Sequence, residues 1–120
     1  MDAEFRTCID ACNECAIVSE QCVSTFVHEA IDAKMGRCIA LCRDCATIAR
    51  AAAALMARHS ELATEACHLC AQYCRTCADE CRRQDATLCQ RCAEACDRCA
   101  SECELVAAPS GAALRSATSR

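Results

Sequence analysis

Residues 66 to 81 read ACHLCAQYCRTCADEC, with Cys67, Cys70, Cys74, Cys77 and Cys81 at successive steps of three, four, three and four and no glycine or proline between them. On a helix with 3.6 residues per turn, that spacing sets five thiols along one face. The unit recurs. CIDACNECA (8–16), CIALCRDCA (38–46), CAQYCRTCA (70–78) and CAEACDRCA (92–100) all fit C-x-x-x-C-x-x-C-A. Rows of thiols at this density serve as small packing groups, as disulfides, as redox groups or as soft metal ligands, and each use needs a different arrangement.

The elements that must carry these rows are long helices. Glycine and proline are confined to Gly36, Pro109 and Gly111, and the rest of the chain is rich in Ala, Glu, Arg and Gln. Steps of three and four give a first stripe of Phe5, Cys8, Cys12, Cys15, Ser19, Cys22 and Phe26. The second runs Ile31, Met35, Cys38, Cys42, Cys45, Ala49, Ala52, Met56 and His59. The third holds Ala63, Cys67, Cys70, Cys74, Cys77 and Cys81, and the fourth Cys89, Cys92, Cys96, Cys99, Cys103 and Val106. All 17 cysteines fall on these stripes.

Sustained inward seams of this kind predict an all-α fold, an antiparallel up-down-up-down four-helix bundle with a cysteine-lined core. Breaks are expected at 28 to 34, near Ser60 as an N-cap, and at RRQD, where Asp85 is placed to cap the fourth helix. Residues 1–106 form the bundle in this reading. The tail 107–120, small and polar around Pro109 and Gly111, is expected to be mobile. The topology gathers Cys22, Phe26, Met35, Cys38, Cys81 and Cys89 at one end, and Phe5, Met56, His59, Ala63 and Val106 at the other, with Leu55 and Leu62 nearby. The first end is thiol-rich and the second mostly a plug, so metal is expected to enter at the first.

Composition narrows the function. Leu, Ile, Val and Phe supply only 18 of 120 residues, so alanine and cysteine must make up most of the interior. A net charge of -4 and only three aromatics (Phe5, Phe26, Tyr73) leave no basic stripe and no stacking platform, which argues against nucleic acid. The N-terminus MDAEFRTCID does not read as a secretory signal, and no apolar run approaches a membrane span; the expectation is a cytoplasmic protein with reduced thiols and no membrane partner.

Alanine or leucine would pack without inviting oxidation, so packing alone does not account for the cysteines. Disulfides fit poorly: the count is odd, and same-face helix neighbours sit about 5 to 6 Å apart at Cβ, against roughly 3.5 to 4.5 Å in a relaxed bridge. Zinc commonly draws on C-x-x-C knuckles in turns, and the iron–sulfur run of bacterial ferredoxins has loop backbone and a C-P pair that this chain lacks, so both fit straight helical rows poorly. Cu(I) is soft and accepts two or three sulfurs, so an i, i+3, i+4 row becomes a ladder of sites. If each ion takes two thiolates and each thiolate bridges two ions, capacity is about one Cu(I) per cysteine. The ligands in this reading are Cys8, Cys12, Cys15, Cys22, Cys38, Cys42, Cys45, Cys67, Cys70, Cys74, Cys77, Cys81, Cys89, Cys92, Cys96, Cys99 and Cys103, with the Met35 thioether at the entry. A broader sink for zinc, silver or cadmium and a redox-responsive thiol protein stand as alternatives. No Ser/His/Asp order, phosphate loop or thioredoxin-type C-x-x-C turn is present, and the chain does not read as an enzyme.

With four C-x-x-x-C-x-x-C-A repeats on four helical seams, residues 5 to 106 resemble the bacterial cytosolic copper storage proteins. The resemblance implies a lumen that binds many Cu(I) ions, copper entry at one open end and assembly as a homotetramer; a copper chaperone or metallophore is the candidate exchange partner. Two departures stand out. Family members often place histidine or asparagine at the mouth, whereas the turn between the third and fourth helices reads RRQDATLC, and Ser19 replaces a cysteine in the first stripe.

The remaining candidates have plainer readings. Met56 is expected in the core and His59 at a helix end, His28 lies near the mouth but off the stripe, and His68 sits on a flank. Asp10, Glu14, Arg43, Asp44, Arg75, Glu94 and Arg98 belong to the solvated faces. Leu41, Ile48 and Leu55, with Ile9, Ala16 and Val23, form apolar rows beside the seam that close the bundle or meet a partner subunit.

Overall fold

Four helices follow from the four stripes. The computed structural model describes residues 3–29 and 33–108, in which α1 spans Ala3–Phe26, α2 Ala33–Ala57, α3 Ala63–Arg82 and α4 Thr87–Ala107, with no strand among the described residues. Each helix packs on two neighbours, in the cyclic order α1, α2, α3, α4, α1. α4 runs through Ala107, one residue beyond the expected limit, and the expected tail from 109 to 120 lies outside the described residues.

Sulfur contacts fix the register. Between α1 and α4, Cys8 meets Cys103 at 3.6 Å, Cys12 meets Cys99 at 3.6 Å, Cys15 meets Cys96 at 3.6 Å and Ser19 meets Cys92 at 3.7 Å. Numbers rise on one helix as they fall on the other, so the pair is antiparallel. The same holds for α2 and α3, through Cys38 to Cys81 at 3.6 Å, Cys42 to Cys77 at 3.7 Å and Cys45 to Cys74 at 3.4 Å. With α3 and α4 joined in register at Cys70 and Cys99 and α1 and α2 at Cys15 and Cys45, the bundle is up-down-up-down. The alanine that closes each repeat (Ala16, Ala46, Ala78, Ala100) is also buried, and a side chain that small lets the helices approach closely.

The ends depart from simple capping. α2 stops with His59 at φ 52°, the left-handed position usually given to glycine; the Ser60 N–H reaches the Leu55 carbonyl at 2.9 Å and the His59 N–H that of Met56 at 3.0 Å. His59 also stacks on Phe5, with ring centroids 5.8 Å apart. Ser60 accepts the Leu62 N–H at 3.2 Å, just ahead of α3, whose own N-cap is Leu62. Asp85 does not cap α4. The cap is Ala86, with no side-chain bond, because Gln90 holds the turn instead, donating to the Gln84 carbonyl at 2.6 Å and the Arg82 carbonyl at 3.4 Å.

Ion pairs tie every adjacent helix pair from outside: Arg50 to Glu20, Arg37 to Glu80, Arg75 to Asp97 and Glu104, and Arg98 to Glu14. Most are exposed and contribute little. Glu80 is the exception, with a side chain 4 % exposed that accepts from Arg37, Arg83 and Gln84. Replacing Glu80 with alanine is expected to cost about 2 kcal/mol of metal-free stability. Arg37→Ala should cost less, because Arg83 still reaches the carboxylate. Urea denaturation of the reduced protein checks both, and a Glu80→Ala loss below about 0.5 kcal/mol would show that the clamp contributes nothing.

Candidate metal centre

All 17 cysteines are free and buried, none more than 1 % exposed. The register stacks them in layers along the axis. Cys15, Cys45, Cys74 and Cys96 form one complete layer of four, and Cys22, Cys38, Cys81 and Cys89 lie together as another at the end near the α1–α2 turn. Three layers lack one thiol each, with Ala52 beside Cys8, Cys67 and Cys103, Ala49 beside Cys12, Cys70 and Cys99, and Ser19 beside Cys42, Cys77 and Cys92. Thiols also meet across the axis: Cys15 to Cys74 at 3.9 Å, Cys45 to Cys96 at 3.8 Å and Cys42 to Cys92 at 3.9 Å. Five groups of three or four sulfurs lie mutually within 4.8 Å, the two largest being Cys12/Cys70/Cys99/Cys103 and Cys42/Cys77/Cys81/Cys92.

A hydrogen-bonded row of thiols divides its protons unevenly. A sulfur that receives S–H bonds releases its proton more readily, and the donor holds its own more tightly. Hydrogen bonds from Cys42 and Cys81 draw Cys38 down. Cys74 and Cys77 are pushed up, chiefly by their bonds to Cys15 and Cys42 respectively. At the end of the lumen, burial raises Cys89 to about 11.

The other candidates divide by position. Met35 is half-buried beyond the Cys38 layer, with Phe26 and Gln84 buried at the same end. Met56 is fully buried at the opposite end, beside the Phe5–His59 stack and Ala63. His28 and His68 are exposed, and His68 bonds Gln72. Neither joins a sulfur group. Sequence reasoning overlooked Glu80 and Gln84, two polar residues buried near the Cys81 layer; the charged run DECRRQ around them was the available signal.

Comparison with known proteins agrees with this geometry. Residues 1–108 match the family model described as copper storage protein. A solved structure of the Cu(I)-bound copper storage protein BsCsp3 is 36% identical, covers 88% of this chain and 99% of its own, and superposes with a TM-score of 0.83. The metal-free copper storage protein 3 of Bacillus subtilis is also 36% identical, over 86% of this chain and 98% of its own, with a TM-score of 0.80. A cytosolic copper storage protein of Streptomyces lividans, holding five coppers, is 32% identical over 90% of this chain and 95% of its own, with a TM-score of 0.83. Histidine-to-alanine variants of the Streptomyces lividans protein are similar as well. No curated protein sequence matches. The thiol lumen, the bundle around it and the match over residues 1–108 agree: the chain belongs to the copper storage protein family.

Proposed function

We propose that this chain stores Cu(I) in the lumen, with all 17 cysteines as its ligand set and the Met35 thioether as a further ligand at the entry. The observation that carries this reading is the continuous burial of thiols in sulfur groups within 4.8 Å, close enough for one soft ion to be held by two or three of them. Metal loading replaces thiol protons with a monovalent cation, so the row takes up ions without leaving uncompensated negative charge inside. Storage, not turnover, suits a site with no solvent-exposed nucleophile among these thiols.

Entry at the Cys22, Cys38, Cys81 and Cys89 end follows from the contrast between the two ends. One ends in a complete layer of thiols with Met35, Phe26 and Gln84 around it. The other is closed by Met56, Ala63 and the stacked Phe5 and His59. The likeness to cytosolic storage proteins supports a cytoplasmic site of action; assembly is as a homotetramer, by family resemblance, with a copper chaperone or metallophore as the candidate exchange partner. No helix among the described residues is long and apolar enough to cross a membrane.

Anaerobic titration of the reduced protein against a competing Cu(I) chelator tests the reading. A plateau near one ion per cysteine is expected, and saturation at four or fewer would contradict it. Protonation gives a second test. Loading must displace protons from thiols, including Cys89, held near 11, so retention against the chelator should strengthen as pH rises from 6 to 8 and unbuffered loading should acidify the solution. Uptake independent of pH would argue against thiolate ligands.

A further inference from the structure

The sulfurs do not form one evenly linked row. Four of the five sulfur groups overlap: Cys8/Cys67/Cys103 shares Cys103 with the next, which shares Cys99 with Cys15/Cys74/Cys99, which shares Cys15 with Cys15/Cys45/Cys96. The fifth, Cys42/Cys77/Cys81/Cys92, shares no residue with the others. Together with Cys22, Cys38 and Cys89 it makes an outer set of seven thiols, leaving ten in the inner set. Sulfur reaches across the boundary from two outer residues: Cys92 meets Cys96 at 4.0 Å along α4, and Cys77 bonds Cys45 and Cys96. No group of three sulfurs spans the boundary.

Ser19 occupies that boundary. It is fully buried, on the α1 stripe between Cys15 and Cys22, and its Oγ lies 3.7 Å from the Cys92 sulfur. A neutral hydroxyl is a poor ligand for a soft ion. An ion moves along a thiolate ladder only where the next sulfur bonds before the last lets go.

We infer that Ser19 divides the lumen into an outer and an inner copper compartment, closing the α1 side of the boundary and confining transfer between them to Cys77 and Cys92. The inference rests on the storage reading above, with entry at the Cys22 end. In the transfer step from Cys92 a bond from Cu(I) to the Cys96 sulfur forms as one to the Cys92 sulfur breaks. The Cys96 proton passes to the sulfur left behind, and copper stays Cu(I) throughout. Ser19→Cys would supply a further path along α1, whereas Ser19→Ala would not.

Anaerobic stopped-flow loading of the whole chain tests this, with Cu(I) added as its acetonitrile complex and copper–thiolate absorbance followed. Wild type and Ser19→Ala should each load in two phases, the faster carrying about seven parts of the amplitude to ten for the slower, on the basis of one ion per thiol. Ser19→Cys should speed the slower phase about tenfold and raise the plateau by about one ion. Circular dichroism melts establish that each variant is folded, and Ser19→Ala separates loss of the hydroxyl from gain of the thiol. A single wild-type phase, or an unchanged slow phase in folded Ser19→Cys, would overturn the partition while leaving storage intact. A wild-type plateau of four ions or fewer would bring down the storage reading and this inference with it.

Discussion

Sulfur-to-sulfur contact between helices, at 3.4 to 3.9 Å, is the constraint from which the rest of the structure follows. A side chain one atom beyond Cβ brings its sulfur to the axis only if the helix backbones stand close. That closeness requires small neighbours, which the alanine ending each repeat provides. Leu, Ile, Val and Phe are displaced to the flanks and ends: Leu41, Ile48 and Leu55 pack beside the seam, and Phe5 and Phe26 lie at opposite ends of α1. The bundle spends its interior on ligands and draws its cohesion from many small burials, supplemented by cross-helix ion pairs outside.

Metal-free and loaded states pose different electrostatic problems to the same row. Neutral thiols pack as small apolar groups with weak mutual hydrogen bonds, and they let the empty lumen stay closed. Ionised thiols in that setting would be costly unless each new negative charge met a cation. A soft monovalent ion supplies the charge and accepts the two- or three-sulfur environments that the layers present. One set of side chains therefore serves as core before loading and as coordination shell after it.

Much of this was legible in the sequence because a period of three and four residues reports directly on which face of a helix is buried. The four stripes, the position of Ser19 within one of them, and the unequal ends all follow from that periodicity. Features set by contacts between helices were not legible. The burial of Glu80 depends on where Arg37 falls across the α2–α3 contact, and spacing along α3 carries no trace of that. Asp85 had the right chemistry for a cap, but Gln90 reaches back to the turn carbonyls and the helix begins two residues later. His59 could be placed at a helix end, yet its left-handed backbone and its stack on Phe5 depend on the turn into α3. The grouping of the sulfurs likewise required the register of all four helices.

The central claim is that the buried thiols are themselves the copper store. The most direct test is anomalous diffraction at the copper edge from crystals of the protein loaded anaerobically with Cu(I). Copper peaks are predicted along the axis, bonded to sulfur from the Cys22, Cys38, Cys81 and Cys89 layer through to Cys8, Cys67 and Cys103. Copper confined to the surface, or to one end with most cysteine sulfurs unligated at saturation, would contradict it.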